Sequence, residues 1–275
     1  MNKTFLLFIV ISSIFCKSQT NRFIYELEYR NNSSEDYRKN LMALDINPTS
    51  TKFYDYDFIE YDSINKNSGE SRSRYSTKTD QIIVRQPNSF RNKRYRDFFD
   101  YFVEETNDEL KWKLFPDTQM YNEYKLQKAT TEFGGRKWIA WFSNDVNISE
   151  GPYKFRGLPG MIFLLEDSEN NFVYKLVKNN KLVKTYETNE FLETHYGKTA
   201  IPITGKKFNK YIEEIYLNPQ RMFSDRIKSG EKANFKNETI ESIDELNRKK
   251  TMLQNGIKGR YIFIEEDSKP DFENK

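Results

Sequence analysis

Apolar and polar side chains alternate along most of the first two thirds of the chain. Within residues 23–30, Phe23, Tyr25, Leu27 and Tyr29 occupy every second position. A period of two is typical of a strand with one buried face. Alternation or short apolar runs bounded by turn residues predict strands near residues 41–46, 53–61, 81–85, 110–115, 124–129, 136–142, 161–165 and 172–177. The aromatic-rich segment 95–103 is predicted to be extended, with a helix as the open alternative. Short polar turns separate these segments, so we expect neighbouring strands to pair antiparallel as a meander.

The last third of the chain changes to a helical period. Phe208, Tyr211, Ile212, Ile215 and Tyr216 recur at the spacing of one helix face. Shorter helices are predicted from Thr188 to His195, from Pro219 to Ile227, and across residues 239–253, and the run 261–264 predicts one last strand. The fold class predicted is therefore mainly β with a helical C-terminal segment, its sheet a strongly curved antiparallel meander or half-barrel.

The N-terminus has the three parts of a secretory signal. Lys3 precedes an apolar run over residues 5–15, and small residues flank a cleavage point before Gln19. The run is too short to span a bilayer, which needs about 20 residues. We expect residues 1–18 to be a signal peptide, 19–187 an antiparallel β domain, 188–267 a mostly helical extension packed on the sheet, and 268–275 a disordered tail. The mature protein would lie in the periplasm, at the cell surface or in the medium.

Composition indicates a core rich in aromatic rings and argues against thiol chemistry and nucleic-acid binding. The chain has 22 Phe and 18 Tyr but only 37% hydrophobic residues, so its core must be built largely from rings. Cys16, the only cysteine, lies in the predicted signal, which leaves the mature chain without disulfide or thiolate chemistry. Loss of Lys3 and Lys17 leaves 42 basic against 41 acidic residues. This near-neutral balance argues against a nucleic-acid partner.

Candidate catalytic and metal-binding groups are sparse. His195 is the only histidine and no nucleophile elbow accompanies it, so we expect an ordinary surface side chain. One histidine without cysteine cannot supply a nitrogen and sulfur metal site. Asp55, Asp57 and Asp62 lack the glycine and distal glutamate of a calcium loop. The sequence therefore predicts no catalytic residue, no cofactor and no metal.

Charged clusters are expected to be solvated. The pair Glu104–Glu105 and the run Glu265–Asp267 are predicted to lie on polar loops or strand ends. The basic residues Arg91, Lys93, Arg94 and Arg96 are interspersed with acidic neighbours, which favours a wet face over a phosphate site.

Trp138 and Trp141 lie on opposite faces of one predicted strand. Because both faces are apolar, we expect a central strand covered on two sides, with a ring platform for a ligand as the open alternative. Gly134 and Gly135 predict a tight turn before this strand. Arg136 is expected to pair with a carboxylate beneath the glycine- and proline-rich segment that follows.

That segment spans residues 151–160 and predicts a rigid backbone crossing. Glycines permit positive φ or close approach, and prolines fix φ. Leu158-Pro159-Gly160 predicts a type II turn with positive φ at the glycine. The structural residues proposed for the crossing are Gly151, Pro152, Tyr153, Phe155, Gly157, Leu158, Pro159 and Gly160.

The hexapeptide from Gly157 to Ile162 resembles the signature of the GLPGLI family of exported bacterial proteins, with Met161 where the signature has leucine. Gly134-Gly135-Arg136 and the strand from Trp138 to Phe142 strengthen the resemblance, which covers about residues 41–177. It implies export in a Gram-negative bacterium and an unassigned role, and it supplies no catalytic residues.

Two functions remain open from the sequence. The first is a non-enzymatic binding or envelope-associated protein for a lipid, peptide or protein partner, without a membrane span in the mature chain. The second is a hydrolase of envelope polymers that uses carboxylates alone. A concave apolar face would favour a hydrophobic ligand, and a filled interior would favour a structural or partner-docking role. Two accessible carboxylates about 5–9 Å apart would favour the hydrolase.

Overall fold

The computed structural model describes residues 19–68, 75–228, 230, 232–235 and 238–273. The predicted signal peptide lies outside these residues. The main sheet contains β1 (Thr20–Tyr29), β2 (Arg38–Ile46), β3 (Thr51–Asp55), β4 (Ile82–Arg85), β5 (Arg91–Phe98), β6 (Asp100–Asn107), β7 (Lys113–Tyr121), β8 (Tyr124–Phe133), β9 (Arg136–Ser143), β10 (Met161–Asp167), β11 (Phe172–Leu182) and β12 (Ile201–Pro202). A separate hairpin pairs β13 (Ala233–Phe235) with β14 (Glu238–Ile240).

The helices are α1 (Asp57–Ser68), α2 (Gly205–Leu217), α3 (Arg221–Lys228), α4 (Ile243–Arg248) and α5 (Lys250–Lys258). A π-helical turn covers Asn189–Glu193, and a 3₁₀ turn covers Glu266–Ser268. Among the described residues, no helix is long and apolar enough to cross a membrane.

Two meanders make up the sheet, and the first strand joins them. The strand order is β12-β6-β5-β4-β3-β2-β1-β11-β10-β9-β8-β7. All neighbours pair antiparallel except the short β12, which runs parallel to β6. The mainly β fold class is therefore confirmed, and the sheet is mixed rather than purely antiparallel.

The sheet is strongly curled but not closed. β6 and β7 lie ten strand positions apart, yet only residues 108–112 connect them. Ten inter-strand spacings in a flat sheet would measure about 48 Å. The connection can span at most about 23 Å, because successive Cα atoms are about 3.8 Å apart. The two ends of the sheet must therefore approach each other around an interior.

The chain itself fills this interior. The largest core cluster combines inward-facing rings of the strands with Tyr153, Phe155 and Leu158 of the glycine- and proline-rich segment. Phe155 lies 4.5 Å from Trp138, measured between ring centroids. Aromatic side chains bury large areas each, so these rings account for much of the core packing.

Outside the curl, one half of the sheet is covered. Phe58 of α1 and Phe191 of the π-helical turn stack at 5.9 Å over the outer side of β2–β6. On the outer side of β8–β10, Ile139, Trp141 and Leu164 are only half-buried.

Three predicted strands are wrong. Residues 95–103 are not one strand, because the chain turns at Phe99, with φ of 62°, between β5 and β6. The pattern over residues 53–61 ends as a strand at Asp55, and α1 begins at Asp57, because Phe58 packs against Tyr75 and Phe191 from a helix. Residues 261–264 are irregular, although Tyr261, Ile262 and Ile264 are buried. Short apolar runs of this kind do not distinguish a strand from a buried irregular segment.

Candidate functional site

The segment of residues 150–160 crosses the interior of the curled sheet. Arg85 donates through Nη1 to the carbonyl of Tyr153 at 2.9 Å and also pairs with Glu150. The indole of Trp112 donates to the carbonyl of Arg156 at 2.9 Å. Side chains from β4 and from the β6–β7 connection thus hold the backbone of the segment at several points.

Gly160 does not have the predicted positive φ, so glycine is required at this position for a different reason. Positive φ occurs instead at Tyr153 (54°) and Gly157 (97°). A Cβ on Gly160 would lie 2.0 Å from the carbonyl oxygen of Ser143 and 2.6 Å from its carbonyl carbon. Close approach of two backbones, rather than turn conformation, therefore requires glycine at this position.

Gly134 and Gly135 form the two-residue turn between β8 and β9, with φ of 63° and 74°. Arg136 follows and pairs with Asp167 at 2.8 Å and Glu266 at 2.6 Å. The expected pairing of Arg136 with a carboxylate is therefore found, and the partners come from β10 and from the C-terminal 3₁₀ turn.

A buried ionic cluster lies on the inner side of β5. Asp80 accepts from Arg94 at 2.7 Å and from Arg96 at 2.6 Å. Glu104 and Glu265 complete the cluster. The prediction of a wet face fails for Arg94 and Arg96, which are 2% and 1% exposed, while Arg91 and Lys93 are exposed as expected. Inward arginines are compatible with folding here because buried carboxylates meet them.

The prediction that Glu104 and Glu265 are solvated is also wrong, because both residues are buried at 9% exposure. Arg94 and Lys154 overcome the effect of burial and lower the pKa of Glu265 to about 2. Burial raises the pKa of Asp55 to about 6, but this side chain is fully enclosed. A glycosidase-type acid combines a raised pKa with an accessible cleft. Neither carboxyl combines these two properties.

His195 is buried, contrary to the expected surface position. Its ring stacks on Tyr101 at 4.8 Å, and Nε2 lies 3.7 Å from an oxygen of Asp97. Its polar neighbours in sequence gave no sign that this segment folds onto β5 and β6. Among the described residues, no group of three or more His, Cys, Asp or Glu side chains is placed to hold a metal ion.

A second feature lies on the outer side of the sheet near its β7 end. We define the outer ring patch as Phe115, Lys128, Trp141 and Leu164. In the strand register, Trp141 of β9 lies between Lys128 of β8 and Leu164 of β10. The Lys128 ammonium is 5.8 Å from the Phe115 ring centroid and 6.0 Å from that of Trp141. All four residues are half-buried.

The prediction that both faces of the tryptophan strand are covered holds for only one face. Trp138 is fully buried in the interior, but Trp141 is not covered to the same extent. Phe115 and Lys128 were not selected from the sequence, because their proximity depends on the pairing of β7 with β8. The terminal strand β7 beside the patch also exposes Leu114 and Met120, at 48% and 65%.

Comparison with known proteins leaves the family unassigned. Residues 97–164 match a family described as a protein of unknown function (Porph_ging). This match supports an uncharacterised family for that part of the chain, while the resemblance to GLPGLI proteins stays a prediction. A search of curated proteins finds no match.

Two solved structures of PNGF-II, in different space groups, are similar to this chain with a TM-score of 0.49 each. They are 13% and 11% identical to it, and each match covers 70% of this chain. The chain spans about a third of the length of those proteins, at 32%.

Proposed function

We propose that this chain is an exported, non-enzymatic protein that docks a protein partner on the outer ring patch. The observation that carries the proposal is the half-exposed pair of rings, Phe115 and Trp141, next to a terminal strand. Tryptophan is enriched among the side chains that dominate binding energy at protein interfaces. A strand edge beside such rings offers a partner both apolar contact and backbone hydrogen bonds.

The filled interior supports a protein partner over a hydrophobic ligand. Tyr153, Phe155 and Leu158 occupy the space where a curled sheet would otherwise hold a lipid. Export is supported by the charge and hydropathy pattern of residues 1–18, and by the confinement of cysteine to that stretch.

A photo-crosslinking residue placed at Lys128 tests the docking surface in cells that produce the full chain. We expect a discrete protein adduct whose yield falls at least about tenfold when Trp141→Ala is added, as expected for loss of an interface hot spot. The same crosslinker at Lys210, whose side chain is 75% exposed on α2, is the control position. Equal adducts at both positions, or no adduct at Lys128, would contradict the proposal.

Two further measurements separate the parts of the proposal. The mature protein should begin at Gln19 and be recovered from the periplasm or medium, and retention of residues 1–18 in the cytoplasm would refute export. Mass spectrometry of the purified protein should find no stoichiometric lipid. A bound lipid would refute the choice of a protein partner.

A further inference from the structure

Lys154 is a buried lysine held between two carboxylates from distant parts of the chain. Its side chain is 1% exposed. Its Nζ atom lies 3.3 Å from Oδ1 of Asp108 and 2.9 Å from Oε1 of Glu265. Asp108 belongs to the β6–β7 connection, and Glu265 follows the irregular C-terminal segment. An amine and a carboxyl group are therefore preassembled in the interior.

The carboxyl group of Asp108 is oriented by its own hydrogen bonds. Asn92 donates from Nδ2 to Oδ2 of Asp108 at 2.9 Å, and the Thr106 hydroxyl donates to the same oxygen. These donors leave Oδ1 as the oxygen that faces the amine. Donors fixed on one carboxyl oxygen stabilise the negative charge that develops there when a nucleophile attacks the carbon.

Rings surround the amine. The Nζ atom of Lys154 is 5.5 Å from the Phe133 centroid and 5.4 Å from that of Tyr153. On its other side, Asp108 lines a cavity of about 820 Å³ that also contacts Leu110 and Lys111. A released water molecule could leave through this cavity, while the amine stays shielded from bulk water.

We propose that Lys154 and Asp108 condense into an intramolecular amide, with Glu265 as the positioning carboxylate that holds the lysine nitrogen beside Asp108. The lysine nitrogen forms a bond to Cγ of Asp108, the Cγ–Oδ1 bond breaks, and Oδ1 leaves as water. The ammonium group supplies both protons of that water directly to Oδ1, which lies 3.3 Å from Nζ. Atoms and charge balance, and no oxidant, reductant or co-reactant is needed.

Proximity lowers the barrier of this single-turnover step. Well-oriented intramolecular reactants reach effective molarities of about 10⁵–10⁸ M. The product would link the β6–β7 connection covalently to the crossing segment, which is 46 residues further along the chain. Such a link constrains the unfolded chain as a disulfide does. In this chain the only cysteine is Cys16, ahead of the predicted cleavage site.

Intact mass spectrometry of the purified protein tests the proposal directly. We expect a mass about 18 Da below that of the mature sequence, because one water is lost when the bond forms. Proteolysis should yield a branched peptide that joins Lys154 to Asp108, which distinguishes this loss from dehydration elsewhere. The full sequence mass, or a loss located at other residues, would overturn the proposal and leave an ordinary buried ion pair.

Matched variants give independent outcomes. Asp108→Asn should condense with loss of ammonia, about 17 Da, since the amide nitrogen replaces the leaving oxygen. Lys154→Arg keeps the positive charge but should retain the full mass. Glu265→Gln should slow or abolish condensation, whereas Glu109→Gln, next to the reacting aspartate, should leave the mass loss intact. Condensation at unchanged yield in Glu265→Gln would overturn the positioning role assigned to Glu265.

Discussion

Replacing Gly160 with alanine should destabilise the fold strongly, for a reason that the structure makes quantitative. The added Cβ would lie 2.0 Å from the carbonyl oxygen of Ser143, and such contacts are essentially never shorter than 3.0 Å. Met161, the next residue, is already in register with Ser143 at the start of the β9–β10 pairing. The two strands would therefore have to separate by at least about 1 Å in a close-packed interior.

The expected cost of Gly160→Ala combines two effects. Overpacking in a core costs about 1–3 kcal/mol. Weakening one or two ladder hydrogen bonds adds about 1 kcal/mol each. A total of about 2–5 kcal/mol should lower the thermal midpoint of a domain of this size by about 4–20 °C.

The assay is thermal unfolding followed by circular dichroism, with Gly259→Ala as the control. A Cβ on Gly259 meets only the carbonyl oxygen of Asn255, at 3.3 Å, and the backbone is in a right-handed conformation. The control should change stability by less than about 0.5 kcal/mol. Equal midpoints for the two glycine variants would refute the close-approach argument.

Three further predictions concern buried side chains. Asp80→Asn should cost about 3–5 kcal/mol in chemical denaturation because it leaves two buried arginines undercompensated, whereas exposed Glu105→Gln should change stability by less than about 0.5 kcal/mol. Burial raises the pKa of Asp55 from 3.8 to about 6, so its contribution to stability is present below pH 3.8 and is lost as the pH rises through 6. Asp55→Asn should therefore be up to about 3 kcal/mol more stable than wild type at pH 8 and nearly equal to it at pH 3.5, and urea midpoints that differ equally at both pH values would contradict this. Trp138→Ala should lower the free energy of unfolding by about 3–5 kcal/mol, and Trp141→Ala should lower it clearly less because Trp141 is half-exposed. A larger loss for Trp141→Ala in calorimetry would contradict the assignment of Trp138 to the core.

Local alternation predicted most strands of the sheet. The run from Phe23 to Tyr29 lies within β1, and the run from Trp138 to Phe142 lies within β9. The pair Gly134–Gly135 predicted the turn between β8 and β9. These features depend on backbone preferences and side-chain direction over a few consecutive residues, which a single sequence contains.

Pairing between distant strands could not be predicted in this way. β1 pairs with β11, so Phe23 lies opposite Asn179, and no local pattern relates those positions. The same limit applies to the outer ring patch. Phe115 and Trp141 are brought together only by the order β7-β8-β9.

By itself, the sequence determined that the chain forms period-two strands, turns tightly at Gly134–Gly135 and becomes helical near Phe208. Only the tertiary structure decided that Arg94 and Arg96 face inward and that His195 is buried. The physical reason is that a charged residue on a strand can be buried only where an opposite charge from elsewhere compensates it. For the two arginines, that compensation comes from Asp80, Glu104 and Glu265, which the folded sheet brings to one interior.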